Sequence, residues 1–160
     1  MSVVLFRVDE RLIHGQVVVG WGSRLHPDLI VVVDEELAGS PWEQELYAMG
    51  VPPETDTAFL TVTDARDRLP DWRGDDRRVM VLTRDVATMY ALASGGLLEG
   101  EHVNVGGIHH AEGRHPVLPY LYLSEEDQDA LAALSEAGAH VTARDLPTSR
   151  KVPLSELLER

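Results

Sequence analysis

Short runs of β-branched and other apolar residues alternate with longer amphipathic stretches along the whole chain. Several of these runs are apolar throughout, which is typical of strands that are covered on both faces of a parallel sheet. The alternation predicts an α/β fold in a single domain, residues 1–160, with a mainly parallel sheet of about seven strands and helices on both faces. The predicted strands are Val3–Val8, Leu29–Asp34, Ala58–Val62, Arg78–Thr83, Val103–Val105, Tyr120–Leu123 and His140–Ala143.

Signals for the start of helices lie between the predicted strands. Ser40, followed by Pro41 and Glu43, predicts an N-cap, a proline in the first turn and a capping-box glutamate. Ser124 opens a second helix in a similar way, and Gly138 can end it. The remaining predicted helices run from near His14 through Trp21, from Asp85 to Gly95-Gly96, and over the tail Pro153–Leu158.

Composition and charge narrow the function classes. Apolar residues make up 44% of the 160 residues and charged residues 26%, which is typical of a folded globular domain. The formal charge of −13 argues against binding of nucleic acid, which needs a basic surface. The sequence has no cysteine, so neither disulfides nor cysteine-bound zinc are expected.

The same sequence argues against membrane insertion. No stretch approaches the roughly 20 apolar residues that are needed to cross a bilayer. The segment from Met1 to Arg7 is apolar but lacks the basic region of a signal peptide. We therefore expect a cytoplasmic protein. Trp21, Trp42 and Trp72 are interpreted as core or half-buried packing residues.

The densest group of polar residues in an apolar setting runs from Arg7 to Gln16, after the first predicted strand and before the first predicted helix. In open α/β sheets, ligands bind at the carboxyl ends of the strands. A helix that starts there presents unpaired N–H groups and the positive end of its dipole, which together favour an anion.

A phosphoryl carrier needs a nucleophile that is neutral near pH 7, and His14 meets this requirement. Asp9 or a backbone carbonyl could fix the imidazole tautomer, while Arg7, Arg11 and the amides from Gly15 onward could balance the charge of the phosphoryl oxygens. The alternative interpretation is an ordinary surface ion-pair cluster, with the histidine as a helix cap or a packed loop residue. Residue types and spacing alone leave both interpretations open.

Two other loops are expected at the same edge of the sheet. Thr83-Arg84-Asp85 follows the fourth predicted strand and offers a hydroxyl and a guanidinium. Gly106-Gly107 follows the fifth, and paired glycines indicate either a tight turn or close approach to a ligand. Beyond them, His109, His110 and His115 with Glu112 could form a metal site, but their spacing matches no standard zinc motif, and we interpret this segment as a polar loop.

The motif Arg7-x-Asp9-x-Arg11-Leu12-Ile13-His14-Gly15-Gln16-Val17, with Trp21 just after it, resembles the signature of the enzyme IIB subunits of the mannose/fructose/sorbose phosphotransferase systems. The resemblance covers nearly the entire chain. It continues through Ile30–Ala38, Val79–Leu82, Asn104–Gly107 and Pro147-Thr148. The chain departs from the family where Asp34 replaces a frequent Asn and Ile108 replaces a frequent Met.

The resemblance implies a single α/β domain and a phosphohistidine–sugar phosphotransferase component, with no cofactor and no metal. In that family the histidine matching His14 accepts a phosphoryl group from the phosphorylated A component and passes it to the sugar that enters through the membrane C and D components. The implied catalytic residues are His14, Arg11 and Asp9. The expected phosphate-binding residues are Arg7, Gly15, Gln16, Thr83 and Gly107.

Several alternatives stay open at this stage. The implied partners are a separate A component, the membrane C and D components and the sugar, with peripheral association at the membrane and possible homo-oligomers. The same His14 switch could instead serve a regulatory module that takes no part in sugar transport. A third possibility is a metal hydrolase built around His109 and His110. Neither the sugar nor the phosphorylated ring nitrogen can be assigned from the sequence.

Overall fold

The computed structural model describes residues 3–159, so Met1, Ser2 and Arg160 of the predicted domain lie outside the described residues. Nine strands form two sheets. Their bounds are β1 Val3–Val8, β2 Leu29–Val33, β3 Asp56–Leu60, β4 Val79–Thr83, β5 His102–Val105, β6 His115–Leu118, β7 Leu121–Leu123, β8 His140–Ala143 and β9 Val152–Pro153. The main sheet has seven strands in the order β3-β2-β4-β1-β5-β8-β9, all parallel except β9, which is antiparallel to β8.

The predicted mainly parallel sheet of seven strands is confirmed, but one member differs. The predicted strand Tyr120–Leu123 forms β7 and pairs with β6 in a separate two-stranded sheet, because a turn at Pro119 and Tyr120 reverses the chain. The two-residue strand β9 takes its place in the main sheet. The predicted strand Ala58–Val62 lies two residues earlier, since Thr61 ends the strand by capping the next helix.

Seven α-helices connect the strands of the described residues. Their bounds are α1 Gly22–Leu25, α2 Glu35–Ala38, α3 Pro41–Ala48, α4 Val62–Gly74, α5 Val86–Ala93, α6 Glu125–Glu136 and α7 Leu154–Leu157. A π-helical segment, Gln16–Trp21, leads into α1, and a 3-10 turn, Ser94–Gly96, follows α5. The helix predicted to start near His14 is therefore present, with a π-helical first part.

Two of the three predicted N-terminal helix caps form, and the third does not. The Ser124 hydroxyl accepts a bond from the Asp127 amide and the Asp127 carboxylate accepts one from the Ser124 amide, so α6 has a capping box. Asp85 accepts from the Thr88 amide, as expected at the start of α5. The capping box predicted for Ser40 is wrong, because its hydroxyl donates to the Glu43 carboxylate and accepts no backbone N–H.

The core lies in two layers on opposite faces of the main sheet. The first layer packs α4, α5 and α6 against valines of β1, β4, β5 and β8. The second layer packs Leu12, Ile13, Val17 and Trp21 against β2 and β4. Helices therefore cover both faces, as predicted, and no helix in residues 3–159 is long and apolar enough to cross a membrane.

The second face changes character along the sheet. On β5 and β8 the alternate residues Val103, Val105, Val141 and Ala143 belong to the first core layer. Because side chains alternate along a strand, their polar neighbours point to the second face. Those neighbours are His102, Asn104, His140 and Thr142.

Candidate functional site

The loops predicted to share one edge of the sheet do meet there. The Asp9 amide donates to the Thr83 carbonyl at 2.9 Å, the Glu10 amide to the Gly107 carbonyl at 2.8 Å, and the Gly106 amide to the Val8 carbonyl at 2.7 Å. These bonds continue the pairing of β1 with β4 and β5 past the ends of the strands. The start of the Arg7–Gln16 segment, at Val8–Glu10, is thus fixed against both neighbouring loops.

The imidazole of His14 is held by a backbone carbonyl. Its Nδ1 lies 2.9 Å from the carbonyl oxygen of Leu12. Because a carbonyl only accepts, Nδ1 must carry the proton, and in the neutral ring Nε2 then carries the lone pair. Leu12 is fully buried and has a φ of 57°, in the left-handed region that a leucine rarely adopts. Backbone strain of this kind is found at functional sites.

The ring of His14 faces inward, which the sequence did not predict. Its Nε2 lies 3.7 Å from Asp9 Oδ2, is buried, and has no hydrogen-bond partner in residues 3–159. The side chain is 15% exposed. The neighbours Leu12 and Ile13 are buried in the second core layer. In this orientation, neither ring nitrogen is presented to solvent.

Asp9 is the centre of the buried part of the site. Its side chain is fully buried. Oδ2 accepts from Arg7 Nε at 3.3 Å and from Arg7 Nη2 at 2.9 Å, while Oδ1 accepts from the Arg11 amide at 3.1 Å. A buried carboxylate needs such partners to remain charged. Arg7 therefore stabilises the carboxylate that faces His14.

Arg7 is also fully buried, and each of its five N–H groups has an acceptor. Besides Asp9, it donates to the Asn104 side-chain oxygen, to the Arg144 carbonyl at 2.9 Å and to the Asp145 carbonyl at 3.0 Å. Burial lowers the pKa of Arg7, and Asp9 opposes this effect. With every donor used inside the protein, the geometry favours an anchoring role for Arg7 over the direct phosphate contact that the sequence predicted.

The paired glycines have separate roles. A Cβ at Gly106 would overlap the Arg7 guanidinium, so the close approach that the sequence suggested is made by a protein side chain. A Cβ at Gly107 would meet Asp9 Oδ1 at 3.8 Å and Arg11 Nη2 at 3.9 Å, which are ordinary contacts. Gly107 therefore lies against the catalytic candidates without requiring a glycine for space.

The exposed part of the site consists of Arg11 and Gly15, together with the half-buried Gln16. Arg11 is exposed, and its Nη2 donates to Gln16 Oε1 at 3.2 Å. Nothing lies within 4 Å of a Cβ built on Gly15. The first helical bonds run from the amides of Val17 and Val18 to the His14 carbonyl. The amides of Gly15 and Gln16 precede these bonds and so have no partner within the helical segment.

Thr83 is buried, and its hydroxyl donates to the Asp85 carbonyl at 2.9 Å. Its own carbonyl receives the Asp9 amide. The structure thus places Thr83 under the site as a support, and its hydroxyl proton is not directed toward a phosphate. The neighbouring Arg84 donates to Asp34 Oδ2 at 3.0 Å.

Three residues of the buried part were missed by sequence reasoning. Asn104 carried a usable signal, since a polar residue stands between two valines of a buried strand. Arg144 and Asp145 carried none, because they act through their backbone carbonyls.

Trp21, interpreted as a packing residue, is indeed buried, and its Nε1 also donates to the Asp145 carbonyl. Trp72 is buried as well, but Trp42 is 65% exposed, which corrects its interpretation as a packing residue.

Glu10 connects the site to the loop after β5. It accepts from the amide and Nδ1 of His109 at 2.8 and 2.7 Å, and from Arg114 Nη1 at 3.3 Å. Partial burial acts to raise the pKa of Glu10, but the bonds from His109 and Arg114 outweigh it and leave the pKa lowered.

In residues 3–159 no group of three or more His, Asp or Glu side chains is placed to hold a metal ion, and His110 contacts the Tyr122 ring instead.

Comparison with known proteins gives a match over nearly the full length. The sequence profile described as "PTS system sorbose subfamily IIB component" matches residues 3–160. The N-acetylgalactosamine-specific phosphotransferase enzyme IIB component 1 of Escherichia coli K12 is 30% identical over 153 residues, which cover 94% of each chain.

Two further relatives extend the comparison. The mannose-specific EIIAB component of the phosphotransferase system of Escherichia coli K12 is 29% identical over 163 aligned positions, which span all of this chain and 49% of that one. The crystal structure of the IIBSor domain of the sorbose permease from Klebsiella pneumoniae superimposes with a TM-score of 0.87 at 21% identity, covering 98% of this chain and 96% of that one. This last likeness concerns the fold.

Proposed function

The chain belongs to the sorbose subfamily of IIB components of the sugar phosphotransferase system, and from this premise we propose that His14 is its phosphoryl acceptor. In this proposal His14 takes the phosphoryl group from a phosphorylated A component and passes it to the sugar that the C and D membrane components import. The protein acts at the cytoplasmic side of that membrane complex.

One observation carries the proposal: the His14 imidazole is held with its proton on Nδ1 by the Leu12 carbonyl, beside the anchored carboxylate of Asp9. A neutral ring with a fixed tautomer is what a nucleophilic histidine requires. Arg11, Gly15 and Gln16 adjoin it and can meet the phosphoryl oxygens.

The transfer requires the ring to turn outward from the orientation described above. Breaking the hydrogen bond from Nδ1–H to the Leu12 carbonyl costs about 0.5–1.5 kcal/mol, the usual net contribution of one hydrogen bond to stability. That cost is small enough for docking of the donor to favour the outward orientation. Arg11 then lies on the side from which the phosphoryl group arrives.

The chemistry of the two steps balances without a further reactant. In the first, a lone pair of a His14 nitrogen forms the new N–P bond while the N–P bond of the donor breaks and the donor regains its own lone pair. In the second, the sugar hydroxyl oxygen forms an O–P bond, the His14 N–P bond breaks, and the hydroxyl proton can go to the released nitrogen. Arg11 balances the charge on the equatorial oxygens in both.

The resting geometry also bears on which nitrogen accepts. While Nδ1–H stays on the Leu12 carbonyl, Nε2 is the nitrogen with a lone pair. The outward turn breaks this bond in either case, but phosphorylation on Nδ1 also requires its proton to move to Nε2 first. The 15N chemical shifts of the phosphorylated ring distinguish the two products.

An exposed apolar surface beside His14 supports docking of the A component there. Trp42, Leu46 and Met49 are 65%, 57% and 81% exposed and recur on one side of α3 and its end. Trp42 and Leu46 line a cavity of about 420 Å³ that also reaches Ile13, the residue before His14. Exposed aromatic and Met residues are typical of protein interfaces. The segment 34–50 carries five acidic residues and no Lys or Arg, so this surface suits a donor with a basic rim around an apolar centre.

A reconstituted transfer assay tests the proposal. The purified chain is incubated with phosphoenolpyruvate, the general phosphotransferase proteins and the A component, and its phosphorylation is followed by intact-mass spectrometry. We expect one acid-labile phosphate, absent in His14→Ala and unchanged in His110→Ala, a matched exposed histidine outside the site. Persistent label on folded His14→Ala contradicts the proposal. Labelling of the wild type without transfer to any sugar in membranes with C and D components would favour the regulatory alternative.

A further inference from the structure

A second concave site lies on the face of the sheet formed by β1, β5 and β8. It has a volume of about 200 Å³ and is lined by residues that include Leu5, Trp21, His102, Thr142, Arg144 and Lys151. None of Arg11, His14, Gly15 and Gln16 lines it. This cavity, called the β5–β8 pocket below, shares Trp21, Asn104 and Arg144 with the surroundings of Arg7 but none of the exposed residues proposed to meet the phosphoryl group.

The charge of the β5–β8 pocket is opposite to that of the chain. The sequence carries a net charge of −13 and a single lysine, Lys151, and that lysine lines the pocket. Arg144 and His102 line it as well, and no Asp or Glu does. In residues 3–159 Lys151 forms no ion pair with a carboxylate. Concentration of cations in one cavity of an acidic protein favours an anionic ligand.

Arg144 lines the pocket and does not use all of its N–H groups within residues 3–159. Its Nη1 donates to the Pro147 carbonyl at 2.5 Å, whereas its buried Nε has no acceptor in residues 3–159. An unpaired N–H of a charged group is costly. Planar guanidinium groups bind phosphate and carboxylate oxygens well, and Lys151 adds a mobile point charge.

One wall of the pocket is apolar. It consists of Val4, Leu5 and the ring of Trp21, and the Arg144 guanidinium carbon lies 5.9 Å from the centre of that ring. A cavity with an apolar wall and a few polar groups is typical of a small-molecule site. The ligand that fits both walls is a small organic anion with an apolar or planar body.

We propose that the β5–β8 pocket binds a small phosphate monoester, with the phosphate between Lys151 and Arg144 and the organic part against Trp21. Thr142 of β8 adds a hydroxyl group to the lining of the pocket. This site goes beyond the proposed phosphoryl transfer and does not depend on it, because no step at His14 uses the pocket.

Phenyl phosphate is a suitable probe, because it joins a phosphate to a planar apolar ring. The binding of phenyl phosphate, inorganic phosphate and benzyl alcohol is measured by 1H–15N NMR titration of the full chain. We expect phenyl phosphate to shift the Trp21 indole and the amides of Thr142 and Lys151, and to bind more tightly than inorganic phosphate. Benzyl alcohol lacks the anion and should leave these resonances in place.

Two variants separate the pocket from the His14 site. Lys151→Met removes an exposed charge that does not contact Arg7, and we expect it to weaken phenyl phosphate binding about fivefold. Arg11→Gln should leave binding at the pocket unchanged while reducing any phosphate shifts at Gly15 and Gln16. His102→Gln provides a second pocket variant, and circular dichroism checks the fold of each.

The outcomes decide between the sites. Shifts confined to Gly15 and Gln16, or equal affinity of wild type and Lys151→Met at the pocket, would overturn the inference. Phosphorylation of His14 is measured in a separate assay. A failure of the pocket therefore leaves the proposed function intact, and a failure of His14 labelling leaves the pocket to be judged by its own titration.

Discussion

The two halves of the site differ in how they use charge. The buried cluster, Arg7, Asp9 and Asn104, satisfies its donors and acceptors inside the protein. The exposed cluster, Arg11, Gly15 and Gln16, lies at the surface with a single side-chain bond between Arg11 and Gln16. Arg7 and Arg11, four positions apart in one motif, therefore have different roles. The first fixes the carboxylate beside His14, and the second can face a phosphoryl group.

The largest expected effect comes from removing the buried guanidinium. In Arg7→Met the Asp9 carboxylate stays buried without its partner, so the free energy of unfolding should fall by about 3 kcal/mol or more. Urea denaturation measures it. Arg11→Met is the matched control and should change stability by less than about 0.5 kcal/mol, because Arg11 is exposed. Equal losses in the two variants would remove the distinction between the clusters.

Gly106→Ala tests the same cluster without changing a charge. The added Cβ would displace the Arg7 guanidinium from its acceptors, and we expect a loss of about 2–3 kcal/mol in the free energy of unfolding. Gly107→Ala adds the same atom at ordinary contact distance and should cost much less. If the two alanine variants unfold at the same urea concentration, the close approach at Gly106 is not required for stability.

The reverse pattern is expected for the exposed cluster. Arg11→Lys keeps the charge but loses the planar fork, so phosphoryl transfer to His14 should slow about tenfold, equal to ~1.4 kcal/mol in the barrier, with stability unchanged. Rapid-quench measurement of labelling by the phosphorylated A component gives this rate. A variant that transfers as fast as the wild type would show that Arg11 makes no bidentate contact with the phosphoryl group.

A smaller effect is expected outside both clusters, at the apolar surface of α3. Leu46→Glu places a charge where the A component is proposed to dock, and should raise the KM for that donor about fivefold with little change in kcat. Labelling of His14 by the small donor phosphoramidate is the control, since it needs no docking surface. An unaltered KM would place the docking surface elsewhere.

The sequence allowed the fold, and the edge of the sheet at which the polar loops meet, to be predicted because their signals are local. Buried strands are continuous apolar runs, and the caps Asp85 and Ser124 act on amides three residues away. Helix α4 was missed because only Ala65, Leu69 and Trp72 of its thirteen residues are buried, so its polar sequence hides the apolar period. Tyr120–Leu123 has the composition of a strand, but its partner is decided by the turn before it.

The division of the site into two clusters could not be predicted, because it depends on distant residues. Arg7 and Arg11 look equivalent in the motif. Arg7 can be buried because its N–H groups donate hydrogen bonds to Asn104 and to the backbone carbonyls at 144–145. These acceptors lie about a hundred or more residues along the chain. The inward ring of His14 is bonded to the carbonyl of Leu12, whose left-handed backbone the sequence does not indicate for a leucine.

The most direct test of the account is the imidazole 1H–15N NMR spectrum of the 15N-labelled chain, recorded before and after phosphorylation by the A component. We predict that the unphosphorylated His14 ring has its proton on Nδ1, as the Leu12 carbonyl requires. We also predict that only this ring acquires a phosphorus–nitrogen coupling after phosphorylation. A coupling on another histidine, or a His14 spectrum that stays unchanged while the protein becomes phosphorylated, would contradict the account.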